Sequence, residues 1–206
     1  MNNKGVIQKM SKQLEVRSFN AEIRSADVQD DQMIVEGYAL KFNSLSQSFG
    51  NWREVIDPHA LDNCDVSNVA CLVNHDTTLV LGRNTSGTLE LNVDDVGLYF
   101  RCILPNTSYA RDLFEVIKRG DVNQMSFGFF LAPNGDTFSK DPENSGMFIR
   151  TLKEIEKIYE VSIVTIPAYE ETNVEIAQRN LESVQKEFEK EKELLILQLE
   201  LEKYEI

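Results

Sequence analysis

The sequence predicts a mostly β domain of the α+β class, with one internal helix and a long helix at its C-terminal end. Three observations lead to this prediction. Short runs rich in β-branched and aromatic residues recur along the chain, one segment changes to a helical period, and the C-terminal segment lacks Gly and Pro. The 206 residues suffice for one sizeable domain and an appendage, and an apolar fraction of 42% suffices for a packed core.

The composition divides the chain into three parts. We expect a flexible leader over residues 1–13, a folded domain over 14–173 and a charged amphipathic C-terminal helix over 174–206. The polar start of the chain has no apolar stretch, so we expect no secretory signal there. No run of the sequence approaches the roughly 20 apolar residues that cross a bilayer.

The strands are predicted from apolar runs and from alternation with period two. The first begins at Leu14 and takes in Val16 and residues 22–24, and a serine-containing loop follows the second over residues 43–51. The later strand-like runs, in chain order, are 33–42, 69–73, 89–93, 98–104, 125–131, 148–152 and 155–166. Asp94 and Asp95 separate two of them as a hairpin turn, and residues 133–146 form a polar insert.

The internal helix is predicted from four apolar residues that fall on one helical face. They are Tyr109, Leu113, Val116 and Ile117. Residues 106–108 offer side-chain oxygens for an N-terminal cap, and Gly120 stands where a left-handed residue ends a helix.

The C-terminal helix is predicted over residues 177–204, where Glu, Lys, Leu and Gln dominate. Its apolar stripe breaks phase once. It could pair with a partner helix, or it could be a solvated helix with one apolar side.

The charge balance argues against two classes of partner. Lys and Arg number 21 and Asp and Glu number 34, so the formal net charge is −13. Nucleic acid and anionic membrane surfaces attract clustered positive charge, so we expect neither as a partner.

Only two histidines are available as a general base near neutral pH. His59 lies in a turn that follows Pro58. His75 ends the apolar run 69–73, at the point where a scaffold can present a side chain to a cleft. By pattern alone, His75 is either a catalytic base or an ordinary loop histidine.

Two further polar residues stand in apolar strands. Ser126 lies among bulky apolar neighbours, and Glu160 lies in the run 158–164. A buried hydroxyl or carboxylate needs a specific partner, because burying it unpaired costs free energy. Ser126 is therefore an activated nucleophile or a core serine, and Glu160 is a paired carboxylate or a surface one. Gly128 would let a substrate backbone approach the strand, or would relieve crowding between its neighbours.

Four histidine and cysteine side chains contain the atom types that bind zinc. The set is His59, Cys64, Cys71 and His75. Its spacing has no CxxC pair, and a strand over 69–73 would point Cys71 away from Cys64. The sequence also lacks the glycine-rich loops that bind nucleotide phosphates. We therefore predict no metal and no cofactor, and we expect the three cysteines to stay as free thiols.

Several segments together resemble the head-maturation (prohead) serine proteases of tailed bacteriophages. The resemblance spans about residues 17–175. The segments that carry it, in order, are Glu36-Gly37-Tyr38-Ala39, Phe42-Asn43-Ser44, residues 54–61, Asn74-His75-Asp76, Leu81-Gly82-Arg83, residues 97–100, Arg119-Gly120-Asp121, Met125-Ser126-Phe127-Gly128-Phe129 and residues 160–169. His59 departs from the family pattern, which often has Gly there, and the insert 133–146 has no clear counterpart.

The resemblance implies a fold similar to the herpesvirus assemblin protease, an antiparallel β-barrel with flanking helices. It implies a serine endopeptidase in which His75 is the base, Ser126 the nucleophile and Glu160 the third member of a triad. It also implies substrates, namely the major capsid protein or its scaffold segment and the enzyme itself. The place of action would be the assembling procapsid in the host cytoplasm. By analogy, two copies could pair as a homodimer through helices.

A second function from another class stays open. The protease-like body could be inactive, and the chain could serve as a capsid assembly scaffold or chaperone through its C-terminal helix. The joint presence of His75, Ser126 and Glu160 favours the enzyme, because a decayed copy would be expected to lack at least one of them.

Overall fold

The computed structural model describes residues 13–20, 23–25, 32–166 and 171–202. The leader predicted over residues 1–13 lies almost wholly outside the described residues. The strands, in chain order, are β1 (Leu14–Asn20), β2 (Arg24–Ser25), β3 (Ile34–Lys41), β4 (Trp52–Ile56), β5 (Ala70–Val73), β6 (Asp76–Arg83), β7 (Leu89–Val93), β8 (Gly97–Ile103), β9 (Gln124–Leu131), β10 (Asp136–Lys140), β11 (Phe148–Leu152) and β12 (Ile155–Val164). The helices are α1 (Ser108–Arg119), α2 (Glu171–Glu202) and a short 3-10 turn at Asn84–Ser86.

The strands form three sheets. A five-stranded sheet has the order β1-β9-β12-β5-β6, a four-stranded sheet has the order β2-β3-β8-β7, and a three-stranded sheet has the order β10-β11-β4. The pairs β5–β12 and β4–β11 are parallel, and the other pairs are antiparallel.

The mostly β, α+β class with a long C-terminal helix is confirmed, whereas the antiparallel β-barrel is corrected. Among the described residues, the five-stranded sheet ends at β1 and β6 and does not close on itself. The two parallel pairs join strands that are far apart in the chain, so no local hairpin sets their direction.

One apolar core lies between the two larger sheets and α1. Alternation in β9 points Met125, Phe127 and Phe129 into this core, all without exposed surface. Other members come from the four-stranded sheet and from α1, and include Val35, Leu98, Phe100, Leu113, Phe114 and Ile117. Because the core takes the odd-numbered side chains of β9, Ser126 and Gly128 lie on the opposite face.

Helix α1 confirms the predicted helix and its C-terminal glycine, whereas the expected side-chain cap is not formed, because Oγ1 of Thr107 has no hydrogen-bond partner among the described residues. Thr107 has extended backbone at the N-terminal cap, and Gly120 has φ +83 at the C-terminal end. Its N–H donates to the carbonyls of Val116 and Ile117, so a left-handed residue closes the helix where a glycine was expected.

Helix α2 begins at Glu171, before the predicted Ala177, and the last predicted residue, Tyr204, lies outside the described residues. Its Leu181 packs with Trp52 and Phe148 in a small second core, and Phe188 packs against this core. Beyond it, the apolar side chains Leu194, Leu195, Ile196, Leu197 and Leu199 are all exposed. In the described part of the chain, no helix is both long and apolar enough to span a membrane.

Three strands were not predicted. The polar insert 133–146 contains β10, which pairs with β11, and β4 and β6 also went unpredicted. β6 opens with the exposed polar residues Asp76 and Thr77, and its apolar residues do not alternate. Pairing with β5 makes this segment a strand, and pairing is not visible in the local pattern.

Candidate active site

A row of three serines crosses the five-stranded sheet. Ser18 on β1, Ser126 on β9 and Ser162 on β12 are direct cross-strand partners. Directly opposed residues project from the same face of a sheet, so the three hydroxyls share the face opposite the core. We call this the site face. Ser126 and Ser162 have no exposed surface, and Ser18 is half-buried.

Glu160 lies in the next row of the site face, opposite Gly128 on β9 and Ala70 on β5. Its side chain leans over Gly128, because a Cβ atom at residue 128 would stand 2.8 Å from Oε1 of Glu160. Only glycine leaves this space free without a shift of the carboxylate. Glu160 is buried, as expected for a carboxylate with specific partners.

His75 occupies a tight turn between β5 and β6. Val73 pairs with Asp76, so the loop consists of Asn74 and His75, and their φ angles are +49 and +60. This is the geometry of a type I′ hairpin, whose second position favours glycine. A non-glycine residue in left-handed backbone costs about 1 to 2 kcal/mol. A histidine at such a position is therefore held there by contacts of its side chain and backbone.

The structure brings His75 and Glu160 together. Nδ1 of His75 lies 2.9 Å from Oε1 of Glu160, and both side chains are mostly buried. A carboxylate oxygen accepts hydrogen bonds, so Nδ1 of His75 is the donor in this contact, and in a neutral imidazole the lone pair is then on Nε2. Nε2 is itself buried and has no hydrogen-bond partner among the described residues. The pair thus presents an unoccupied base nitrogen.

Ser162 joins this pair, although sequence reasoning did not single it out. Its hydroxyl donates to Oε2 of Glu160 at 2.5 Å and accepts the backbone N–H of His75 at 3.2 Å. The signal that could have found it is the spacing of two residues from Glu160, which places both side chains on one face of a strand.

Ser126 lies on the site face, but its hydrogen bonds run to β1. Its Oγ donates to the backbone carbonyl of Arg17 at 2.9 Å and lies 3.1 Å from Oγ of Ser18, which donates to it. Nε2 of His75 is not its partner. The structure therefore places Ser126, the predicted nucleophile, in the row next to Glu160. The hydroxyl of Ser126 donates its hydrogen bond to the neighbouring strand β1.

A buried ionic cluster holds β1 in this position. Its members are Glu15 and Arg17 on β1, Glu54 on β4, Asp136 on β10 and Arg150 on β11. Arg17 is 2.7 Å from both Glu15 and Glu54, and Arg150 is 2.6 Å from Asp136. Arg17, whose carbonyl accepts the hydrogen bond of Ser126, is thus held by the cluster against the three-stranded sheet.

The cluster also shifts the pKa values of Glu15 and Arg150. Burial by itself raises the pKa of Glu15, but the hydrogen bonds and charges of Arg150 and Arg17 outweigh it, so the pKa is lowered. Burial disfavours the charged form of Arg150, yet the charges of Glu54 and Glu15 raise its pKa above the usual value. Both shifts favour the charged forms of Glu15 and Arg150, as pairing of opposite charges in a buried site requires.

The other histidine and the cysteines lie apart from this arrangement. His59 is exposed, and its Nδ1 lies 3.1 Å from a carboxylate oxygen of Asp62. Cys71 is buried beside Cys102, whose hydrogen bond raises the pKa of the Cys71 thiol. Burial raises the pKa of Cys64 to about 11. Within the described ranges, no three His, Cys, Asp or Glu side chains come together as metal ligands would.

A cavity of about 240 Å³ adjoins Glu160 on the site face. Glu160, Ala70 and Leu72 line it from the sheet, and Arg83 and Lys157 also contribute to its wall. A space of this volume beside the carboxylate of Glu160 can hold one side chain of a bound peptide.

Comparison with known proteins adds three findings. The family model described as caudovirus prohead serine protease matches residues 19–187. The chain is 34% identical over 148 residues to the prohead protease of Enterobacteria phage HK97, covering 69% of this chain but 59% of that relative. It is also similar to the solved structure of the bacteriophage T4 capsid assembly protease, with a TM-score of 0.48 and 12% identity over 75% of this chain and 98% of that one.

Proposed function

The chain belongs to the caudovirus prohead serine protease family, and from this premise we propose that it is a serine endopeptidase of phage head maturation. The observation that carries the proposal is the buried His75–Glu160 pair, whose free Nε2 lies on the same side of the sheet as Ser126. Acyl transfer by a serine needs an imidazole nitrogen that can accept the proton of the hydroxyl, and Nε2 of His75 has no other partner in the described structure.

In this proposal, the hydroxyl of Ser126 attacks a peptide carbonyl while Nε2 of His75 accepts its proton. Glu160 keeps the proton of Nδ1 in place and stabilises the imidazolium that forms. The imidazolium then gives its proton to the leaving amine, and water hydrolyses the acyl-enzyme by the same route in reverse. Backbone N–H groups would stabilise the oxyanion, each contributing roughly 3 to 4 kcal/mol.

The described geometry is then a resting form of the enzyme. Ser126 has no exposed surface and donates to the carbonyl of Arg17, so it must exchange this acceptor for Nε2 of His75 before it can react. A displacement of β1 from β9 would release the hydroxyl and open the site face together. The chain needs such a latent state if it is to be packed beside its substrates before cleavage begins.

The substrates proposed are the major capsid protein or its scaffold segment and the protease itself, inside the assembling procapsid in the host cytoplasm. The relative from phage HK97 carries the name prohead protease, and this chain spans 59% of that relative's length. The cavity beside Glu160 would hold a substrate side chain next to the scissile bond.

Helix α2 is proposed as the handle that brings the protease into the shell. Its exposed apolar side chains, from Leu194 to Leu199, lack a covering partner among the described residues. The same surface is where a homodimer through helices would form, and sedimentation of the full chain at increasing concentration would test that pairing.

The central experiment follows self-cleavage of the full chain by intact mass after expression. We expect fragments from the unaltered chain, and only intact protein from Ser126→Ala and from His75→Ala. His59→Ala is the matched control, since His59 is exposed and bonded to Asp62, and its fragments should equal those of the unaltered chain. A fragment pattern unchanged in both Ser126→Ala and His75→Ala would remove the assignment.

A serine-reactive fluorophosphonate provides a second measurement. Peptide mapping should place its adduct on Ser126, and His75→Ala should slow the labelling. An adduct on another serine, with Ser126 unmodified, would contradict the assignment.

The alternative of an inactive capsid scaffold or chaperone is favoured by one observation. The nucleophile is sealed from solvent and bonded to β1 in place of His75. An unaltered chain that never cleaves itself or a capsid protein, and that still promotes shell assembly, would establish this alternative.

A further inference from the structure

We propose that Ser162 is a positioning residue of the proposed catalytic centre, acting through Glu160 and the backbone of His75. This inference rests on the proposed function. It is carried by a closed ring of hydrogen bonds that runs from Ser162 to Glu160, on to the imidazole, and through the backbone of His75 back to Ser162.

The first part of the ring fixes the carboxylate. Glu160 has two oxygens, of which Oε1 meets Nδ1 of His75 and Oε2 receives the hydroxyl proton of Ser162. A carboxylate held at one oxygen can still rotate about its last bond, and one held at both oxygens cannot. The hydroxyl of Ser162 therefore keeps the carboxylate in the orientation in which Oε1 accepts the hydrogen bond of Nδ1.

The second part of the ring fixes the histidine. His75 has left-handed backbone, with φ +60, and its N–H donates to the oxygen of Ser162. One buried hydroxyl thus holds both the acceptor of the imidazole proton and the strained backbone that carries the imidazole. Loss of this hydroxyl would loosen both ends of the Nδ1–Oε1 contact at once.

The same contacts argue that Ser162 is not itself the nucleophile. Its proton is donated to a carboxylate, and the base nitrogen Nε2 has no partner in the described structure. A nucleophile needs its proton to leave through the base. Ser126, one strand away in the same row, also donates elsewhere in the described geometry, but its acceptor is a backbone carbonyl that the proposed mechanism does not use, so it keeps that role.

The first test is a double-mutant cycle on turnover of a capsid-derived peptide. We expect Ser162→Ala to lower kcat roughly 10- to 100-fold, because small displacements of a catalytic group are costly, while KM changes less than about two-fold. In a Glu160→Gln background the same substitution should cost clearly less, since the contact of Nδ1 with a carboxylate is already lost and only the hold on the backbone of His75 remains. The matched control is Ser139→Ala on the exposed face of β10, which should leave kcat unchanged.

Ser162→Cys guards against a folding defect. The thiol fills the buried space but donates weakly, so this variant should fold and still lose kcat as Ser162→Ala does. An equal loss from Ser162→Ala in both backgrounds, or an unaltered kcat in Ser162→Cys, would overturn the inference and indicate a purely structural role.

The second test needs no turnover. The chain has two histidines, so a long-range ¹H–¹⁵N spectrum of the full protein shows two imidazoles, with His59 as internal reference. We expect His75 to be one tautomer with the proton on Nδ1, and to become a mixture in Ser162→Cys. A pure Nδ1–H tautomer retained in Ser162→Cys would refute the positioning role. A chain that hydrolyses nothing would instead overturn the proposed function, and this spectrum would still decide the role of Ser162.

Discussion

Gly128→Ala is the substitution that most directly separates the fold from the proposed chemistry. The φ angle of Gly128 is not positive, so alanine fits the backbone of β9. The new Cβ atom would stand 2.8 Å from Oε1 of Glu160, whereas the next nearest atoms, Cγ and Cδ of the same side chain, lie at 3.4 and 3.5 Å. Only the carboxylate oxygen that faces His75 has to move.

The size of the effect follows from these distances. Oε1 must retreat by about 0.6 Å to reach ordinary contact with the new methyl group. If the retreat lengthens the 2.9 Å contact with Nδ1 by that amount, the hydrogen bond is lost. A hydrogen bond to a charged group contributes about 1.5 to 3 kcal/mol, which corresponds to a rate loss of roughly 10- to 100-fold.

The fold should not suffer, because the displaced atom is the end of a flexible side chain. Alanine in a strand is favoured over glycine by about 0.5 to 1 kcal/mol, so the melting temperature should be equal or slightly higher. The assay is kcat for peptide hydrolysis together with the melting temperature and the tautomer of His75. In a Glu160→Ala background, Gly128→Ala should change nothing further.

Two results would refute this reasoning. One is a Gly128→Ala protein with the kcat and the His75 tautomer of the unaltered chain, which would mean that the carboxylate contact does not orient the imidazole. The other is an equal loss of kcat in the Glu160→Ala background, which would place the effect of the methyl group elsewhere on the site face.

Three further predictions concern the ionic cluster and α2. Arg150→Met should lower the free energy of unfolding by about 3 to 5 kcal/mol in urea titrations at pH 7, because it leaves buried carboxylates uncompensated; a loss below about 1 kcal/mol would show that the cluster is not held by this charge. The lowered pKa of Glu15 means that its stabilising contribution is present above its unfolded pKa and lost as pH falls through the folded one. Glu15→Gln should therefore make the urea midpoint fall less as the pH is lowered below the pKa of an unfolded glutamate, and an unchanged acid limb would contradict this. Removal of residues 191–206 leaves the contact of Leu181 with Trp52 intact, so peptidase activity and the fluorescence of Trp52 should persist. Incorporation of the truncated chain into capsids should fall, and equal incorporation would exclude α2 as the segment that brings the protease into the shell.

Much of the secondary structure could be predicted from local patterns, because apolar residues recur with the period of a helix or a strand wherever one face of that element is buried. The alternation of β9 and the helical spacing of α1 are of this kind, and both elements lie where they were expected. β6 and β10 are different, since their polar residues become strands through pairing with β5 and β11.

The candidate site divides in the same way. His75, Ser126 and Glu160 stand out in the sequence because polar groups in or beside apolar runs need partners. Which partner each one has depends on residues far apart in the chain. The contact of His75 with Glu160 joins positions 85 residues apart, and the bond of Ser126 to Arg17 joins positions 109 apart.

Composition and periodicity thus sufficed for the mostly β, α+β class, the helices and most strands, and they marked three polar side chains as candidates, whereas the triad roles of those side chains were implied only by the family resemblance. Only the folded chain aligned Ser162 with Ser126, placed His75 in a left-handed turn within hydrogen-bond distance of Glu160, and paired β1 with the strand that carries Ser126. The physical reason is that strand register and direction between distant segments are set by packing on a shared core, and a local pattern carries the face of a residue but not its neighbour across the sheet.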